Sequence, residues 1–423
     1  MWRPTTRVQY AVIGPIDGER TVSDASVMTS RIETNQTAGR AVVVGGSLGG
    51  LHAAVVLLSE GWDVDVYERS PRLLDGAGAG IVAHRTLLRI INEYQGVALD
   101  QVSCPAMKVR TYAPARETVT TPKNAYRLTS WTTIYRELLK IVSTDRYHLG
   151  ETLTSIEQTR DAAIVGFESG LRTEADLVVC ADGISSTARD LLGITVKTAY
   201  SGYIGWRGVV DPDALDPEVA ETLIDSISFG TTEGSHIVAY PIPFAGADGK
   251  RLLNFVWYRD VADGPELDSL MTDNAGQRRP FSLQDVQPGH IEVMRAAAKE
   301  FGNPLAQMVI RTPKPFLQVI VDQTPSQMAV GRVAVIGDAA SVARPHAAAG
   351  TAKAAENGWQ LAAHLQEFPG DVPLALSSWE RTQLDLGESL VARARELGTT
   401  AQQSLQWGTD DPAAEFGLYG AGQ

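Results

Sequence analysis

The stretch Ala41–Glu68, AVVVGGSLGGLHAAVVLLSEGWDVDVYE, constrains the fold more than any other part of the chain. Ala41 to Val44 is apolar without a break and ends at glycine, as a buried parallel strand does. Gly45, Gly46, Ser47, Leu48, Gly49 and Gly50 then make a turn. From Gly50 the period changes, and Leu51, Ala54, Val55 and Leu58 recur on one helix face. Gly61 stops that helix. Asp63-Val64-Asp65-Val66 alternates as a second strand, which ends at Glu68. Strand, glycine turn, helix, strand and acid stand in the order of a dinucleotide site. Gly45 allows the tight turn, and Gly50 lets helix and strand pack closely. The helix N-terminus presents free N–H groups and a positive dipole end to a pyrophosphate. Glu68, about 20 residues past the glycines, accepts hydrogen bonds from a ribose. Ser47 replaces the middle glycine of G-x-G-x-x-G. Its Cβ narrows the approach to phosphate, and its hydroxyl offers a bond in return. A glycine turn without a ligand is the plain alternative, but turn, helix, strand and acid all agree. The stretch leaves NAD and FAD both open.

The chain has 423 residues, enough for two or three domains, with 44% hydrophobic and 21% charged residues. The formal net charge of −13 argues against nucleic acid and anionic membrane as partners. Cys104 and Cys180 are the two cysteines and lack metal-ligand spacing, so a reducing, cytoplasmic setting is expected and no metal. No apolar run approaches the roughly 20 residues of a membrane helix. Residues 1–39 are expected to be a disordered tail, with Met28 an alternative natural start.

Further along, Gly76, Gly78 and Gly80 precede Ile81-Val82-Ala83, where backbone is expected to pass close to a ligand. Helices are expected over Thr86–Tyr94 and Ile134–Val142, and strands over Asp161–Phe167 and Ala175–Cys180. Asp182-Gly183 follows the second strand directly. This places a carboxylate at a strand's C-terminal end, where open α/β sheets bind ligands; a helix cap alone is the bland reading. Ser201–Arg259 is rich in Tyr, Trp, Ile and Val and reads as an antiparallel or mixed sheet, with Ala245–Lys250 a hairpin loop. Pro265–Leu317 reads as mixed and mostly helical. A third apolar strand, Val333–Ile336, ends in Gly337-Asp338 and leads to the small-residue helix start Ala348–Ala352. A last long helix over Gly370–Leu397 carries Leu376, Trp379, Leu386 and Leu390 as its buried stripe.

Three such stations, spread over Arg40–Leu397, resemble the group A FAD-dependent aromatic hydroxylases with the p-hydroxybenzoate hydroxylase fold. VVGGS with GWDVDVYERSP, YIGWRGVV, AYPIP, LNFVWY, DGPELDSLMTD and GDAASVARPHAAAGTAKA look most like the branch of 2,6-dihydroxypyridine 3-hydroxylase and its near relatives. The resemblance implies an α/β fold with an α+β substrate part. An FAD-binding Rossmann-like domain (40–198 and 318–368) would carry an inserted mixed β-sheet substrate domain (199–317), then a C-terminal helix and tail (369–423). It implies that Gly45, Ser47, Leu48 and Gly50 hold the FAD pyrophosphate, and Glu68 with Arg69 the adenosine side. Leu153 would give a backbone contact to adenine. Asp182 and Gly183 would serve FAD and the passing nicotinamide cofactor, and Asp338 the ribityl chain. Ala348, Ala349, Gly350, Thr351 and Ala352 would face the flavin pyrimidine edge. Four positions depart from the family pattern: Trp131 for arginine, Cys180 for glycine, Ser341 for histidine and Asn357 for aspartate.

The implied chemistry is hydroxylation of an electron-rich (N-hetero)aromatic such as a hydroxypyridine. NAD(P)H reduces FAD, O2 adds to form a C4a-hydroperoxide, and its distal oxygen attacks the ring. The expected partners are a small aromatic substrate and O2, with a homodimer allowed. His346, Tyr203 and Arg207 are the catalytic candidates, with His236 and Tyr240 behind them. His346 is expected beside the flavin as general base, although a lone histidine is more often structural. His84 is expected at the flavin border or at the surface, and Trp206 and Trp257 in the core. A halogenase is the alternative on this fold, but Gly205-Trp206-Arg207-Gly208-Val209 echoes only half of G-W-x-W-x-I-P. A reductase or oxidase and a non-catalytic FAD-binding protein are the others. Chloride-dependent product would indicate the halogenase, and absence of turnover the binding protein.

Overall fold

The computed structural model describes residues 37–76, 78–113, 116–122, 126–244, 249–302, 304–403 and 417–418. Most of the expected tail, Met28 and residues 245–248 of the expected hairpin loop lie outside them.

Strands β1 (Arg40–Val44), β2 (Asp63–Glu68), β3 (Tyr147–Leu149), β4 (Leu177–Cys180) and β5 (Val333–Val335) form a six-stranded sheet with the short edge strand Ala329–Val330. The order runs from that edge strand through β5, β4, β1 and β2 to β3. All pairs except the edge pair are parallel, with Val43 beside Val66, Val44 beside Cys180, and Cys180 beside Val335. The three apolar strands at its centre end together, which brings all three expected stations to one edge. Helix α1 (Leu48–Ser59) begins two residues before the expected Gly50, because Gly45 has already turned the chain at φ +103°. Its burial is not confined to one face: His52, Ala53 and Val56 are buried with Leu51 and Val55. The reason is α2 (Gly350–Glu367), which crosses the far side so closely that a Cβ on Gly358 would lie 3.2 Å from Ala53 Cα.

The second sheet has eight strands, in the order Ser282–Leu283, Phe316–Pro325, Val196–Val210, Arg251–Asp260, Ser235–Pro243, Ser226–Thr232, Lys108–Ala113 and Arg116–Thr120. It is antiparallel apart from the parallel pairing of Ser226–Thr232 with Lys108–Ala113. The sheet thus draws strands from outside 199–317: Lys108–Thr120 on one side and Phe316–Pro325 on the other. The long strand Val196–Val210 needs partners on both edges, and those partners come from distant sequence. Within 265–317 the helices Pro265–Leu270, Pro288–Ala297 and Leu305–Arg311 flank the edge strand Ser282–Leu283 in sequence. Side chains alternate along the strands. Phe255 and Trp257 enter one core with Trp206 and Ile237, while Val256, Tyr258, Val238 and Tyr240 face the other way. Trp206 and Trp257 are therefore core residues, and Trp257 Nε1 donates to Ser235 Oγ at 2.7 Å.

Helix α3 (Val372–Gln403) buries the expected stripe Leu376, Trp379, Leu386 and Leu390 and runs beyond Leu397. Among the described residues no helix is long and apolar enough to cross a membrane.

Candidate active site

The glycine turn is closed by backbone contact. A Cβ on Gly45 would sit 2.6 Å from the Ala181 carbonyl carbon, and one on Gly50 would collide with Gly45 O. Gly46 faces Tyr147, whose hydroxyl donates to Gly46 O at 2.9 Å and meets the Tyr135 hydroxyl at 3.1 Å. Glu68 is buried and accepts from Gly46 N and Ser70 N, each at 2.8 Å. Its carboxylate therefore braces the turn as well as standing at the end of β2, and each oxygen keeps a lone pair. Arg69 beside it is exposed. Glu151 N donates to Glu68 O at 3.0 Å, which brings the start of the strand Leu153–Gln158 close to β2. Leu153 itself is buried away from the cavity. Ser47 caps α1 with extended backbone and no side-chain cap bond, and it lines the cavity.

At the second station Asp182 accepts from Ser186 Oγ at 2.6 Å and from Ala188 N at 3.0 Å, so it braces the start of the short helix Thr187–Leu191. Gly183 turns at φ +85° and lines the cavity. Sequence pattern alone does not mark Arg189. It is buried and donates to Ile184 O at 2.7 Å and Ala339 O at 2.9 Å, tying this station to the next. No spacing signal marks the tie to Ala339, because that acceptor is a backbone carbonyl far along the chain.

At the third station Gly337, at φ +59°, donates to Asn357 Oδ1 at 3.0 Å, and Asn357 Nδ2 donates to Gln383 at 2.8 Å. Ser341 Oγ accepts from Lys353 Nζ at 2.9 Å. Two of the family departures, Ser341 and Asn357, thus have bonded partners of their own. Asp338 opens to the cavity while protein surrounds it. Lost hydration raises its carboxyl pKa, and the Lys353 ammonium pulls it back. Ala348 is the single non-glycine residue with positive φ, at 52°, among those described. His84 Nε2 meets Ala348 O at 2.8 Å, and burial lowers its pKa, so a neutral ring donates that bond. His84 therefore holds the turn ahead of α2 instead of bordering the cavity. Ala348, Gly350 and Thr351 line the cavity, whereas Ala349 and Ala352 are buried behind them.

One cavity of about 310 Å³ joins these stations to the Val256–Tyr258 face of the large sheet. Ser47, Gly183, Asp338 and Gly350 line one end, and Ile227, Val238 and Val256 the other. Arg207 and Asp338 are the charged side chains among the lining residues. Arg207 donates to Gln318 Oε1 at 3.1 Å and to Gly80 O at 3.3 Å, and its buried Nε has no hydrogen-bond partner. Tyr240 and Tyr258 stand beside it in the wall, and burial raises both phenol pKa values. Gly80 is needed because a Cβ there would lie 2.6 Å from the Tyr240 ring, and its N–H donates to Asn254 Oδ1 at 2.9 Å. Gly78 abuts Trp131, which lines the cavity and stacks on Tyr135 at 4.7 Å.

His346 and Tyr203 are not in this wall. His346 is 2% exposed, and its Nε2 meets His236 Nε2 at 2.9 Å, with both rings packed 4.5 Å from Tyr258. The expected base thus lies behind Tyr258, because the Pro345–Ala347 turn points its side chain toward α3 and the sheet. Burial, His236 and Arg344 lower its pKa well below the usual value. Tyr203 is equally buried, accepts from Arg344 at 3.2 Å, and is pushed up to about 12 by burial.

The start of α1, the Gly337-Asp338 turn, the start of α2 and an apolar face of the large sheet thus line one cavity. The sequence profile of an FAD binding domain-like family matches residues 200–322. The chain is 37% identical over 386 residues to 2,6-dihydroxypyridine 3-monooxygenase of Paenarthrobacter nicotinovorans, covering 90% of this chain and 96% of that protein. A solved structure of 2,6-dihydroxypyridine-3-hydroxylase from Arthrobacter nicotinovorans superposes with a TM-score of 0.85 at 36% identity, covering 92% and 98% of the two chains. An FAD-dependent urate hydroxylase of Klebsiella pneumoniae is 28% identical, covering 84% and 89%.

Proposed function

Because the chain belongs to the FAD-dependent aromatic monooxygenases that include 2,6-dihydroxypyridine 3-monooxygenase, we propose that it hydroxylates a small hydroxylated N-heteroaromatic, such as a hydroxypyridine, with NAD(P)H and O2. The single observation that carries this reading is the one cavity running from the glycine turn to an apolar pocket with Arg207 in its wall.

In this reading Gly45, Ser47, Leu48 and Gly50 cradle the pyrophosphate, Glu68 and Arg69 the adenosine side, and Asp338 the ribityl chain. The start of α2 faces the flavin ring with its positive end. Bound FAD supplies the electron transfer from NAD(P)H and the oxygen chemistry. The protein's own work is done at the ring end. Arg207 holds a ring oxygen in its ionised form, through charge-assisted hydrogen bonds. The ring is thereby made electron-rich where an electrophilic oxygen reacts. Tyr240 and Gln318 orient the second oxygen or ring nitrogen, and Ile227, Val238 and Val256 keep water out. Neutral His346, shielded by Tyr258, positions that tyrosine and takes no substrate proton itself.

A panel of pyridinols and phenols, scored by NAD(P)H oxidation and product mass, tests the substrate class. Arg207→Met is expected to lower kcat/KM for the best substrate by about 10- to 100-fold, the order of a lost charge-assisted hydrogen bond, with flavin content unchanged. Equal kcat/KM in variant and parent removes Arg207 from substrate binding. Glu68→Ala is expected to weaken FAD binding by about 1–3 kcal/mol, since it loses a bond to a charged acceptor and unbraces Gly46. Titration of apoprotein with FAD, followed by fluorescence quenching, checks this.

A further inference from the structure

We propose that Lys353 is a buried positioning cation that the FAD cofactor completes, so that FAD and one proton are taken up together at the Gly337–Ser341 turn. The inference rests on the reading that the cavity takes FAD.

Lys353 lies in the first turn of α2 and is 2% exposed. Its Nζ donates to Gly337 O at 2.8 Å, to Ser341 Oγ at 2.9 Å and to Ser341 O. Three acceptors match the three N–H groups of an ammonium. A neutral amine has two, enough for the two carbonyls, and keeps the third contact only by turning its lone pair to the Ser341 hydroxyl as acceptor. The turn it grips is the cavity floor, since Gly337 and Asp338 both line the cavity, as does Ala354 next to Lys353. The ammonium thus stands one layer behind the surface on which an anionic dinucleotide would rest. There it adds to the positive end of α2.

Among the groups around it, one anion acts on its charge. Asp338, on the gripped turn, acts on it but opens to the cavity. Arg189 reaches the same turn from the other side, at Ala339 O. From α3 come the uncharged Gly387, whose Cβ would lie 3.0 Å from Ser341 Oγ, and Gln383 on Asn357. Glu356, further along α2, is engaged by Gln360 at 2.8 Å. Burial brings the Lys353 pKa down to about 8, with Asp338 pulling the other way. Without an anion in the cavity the ammonium is half lost near that pH, and an anion above the floor restores it. FAD affinity is then flat below pH 8 and falls as pH rises through 8, because binding takes up a proton there.

The test is the FAD dissociation constant of apoprotein prepared from the holoenzyme, measured by flavin fluorescence from pH 6 to 9. The parent's constant is expected to rise about tenfold between pH 7 and 9, the limit set by one linked proton. Lys353→Met is expected to bind more weakly at pH 7 and to show no slope. A flat parent profile, or a Lys353→Met profile that keeps the parent slope, overturns the proposal. Should Lys353→Met fail to fold, Ser341→Ala keeps the cation and removes one acceptor. It should move the midpoint of the slope to lower pH, and an unmoved midpoint counts against the proposal. Glu68→Ala separates the two readings. If it weakens FAD at every pH while the parent profile is flat, only the Lys353 proposal falls. If it leaves the constant unchanged, the placement of FAD in the cavity falls.

Discussion

Lowering the pH from 7 to 5 is expected to destabilise the protein by about 2 kcal/mol through His236 alone, with His346 and His52 adding to the loss in the same direction. His236, His346 and His52 are all fully buried. Burial lowers each pKa from 6.5: His236 to about 3, His346 well below the usual value, and His52 despite its bonds to Leu48 O and Leu87 O. The sign follows from linkage. Above pH 6.5 these rings are neutral in both states and pH has no effect through them. Below 6.5 the unfolded chain takes up protons that the folded protein refuses, so stability falls at about 1.4 kcal/mol per pH unit per ring until the folded pKa is reached. For His236 that window runs from 6.5 to about 3. Urea unfolding of the holoprotein at pH 7 and 5 measures the loss. His236→Gln should lose about 2 kcal/mol less than the parent over that interval, and equal stability of the parent at both pH values would refute the assignment. The same physics bears on catalysis: His346→Gln is expected to lower stability while leaving the pH profile of product per NAD(P)H as in the parent.

Asp322→Ala is expected to cost about 3–5 kcal/mol of stability, the range for leaving a buried charge without its partner. Asp322 is 2% exposed and receives Arg344 Nε at 3.1 and 3.2 Å and Arg395 Nε at 3.1 Å. Arg344 also donates to Tyr203 and is itself buried, so it cannot turn to water when the carboxylate is removed. Arg395 is half exposed and can. Arg395→Ala should therefore cost below about 1 kcal/mol. Urea midpoints of both variants decide. An Asp322→Ala protein within 1 kcal/mol of the parent would show that the triad is not what joins strand Phe316–Pro325 to the Arg344 turn and α3.

What sequence alone determined is local and periodic. The turn at Gly45–Gly50, the acid at Glu68, Gly183 and Asp338 in the cavity wall, and the stripe of α3 were all legible, because each follows from a short pattern whose geometry the backbone enforces. The Trp206 and Trp257 rings were legible as core for the same reason. Tertiary structure decided what depends on distant pairings. The large sheet recruits Lys108–Thr120 and Phe316–Pro325, since its longest strand has two edges to satisfy and nothing local names the partners. His346 stands near the right motif in sequence yet behind Tyr258 in space, because a single turn sets which way its side chain points. Arg189 and Lys353 are not legible in the sequence for a different reason. Their partners are mostly backbone carbonyls, Ala339 O for the one and Gly337 O for the other, and a carbonyl leaves no mark in a sequence. Burial then does what composition cannot: it makes one lysine a titrating group near pH 8 and holds three histidines neutral, since the loss of hydration depends only on where the folded chain puts them.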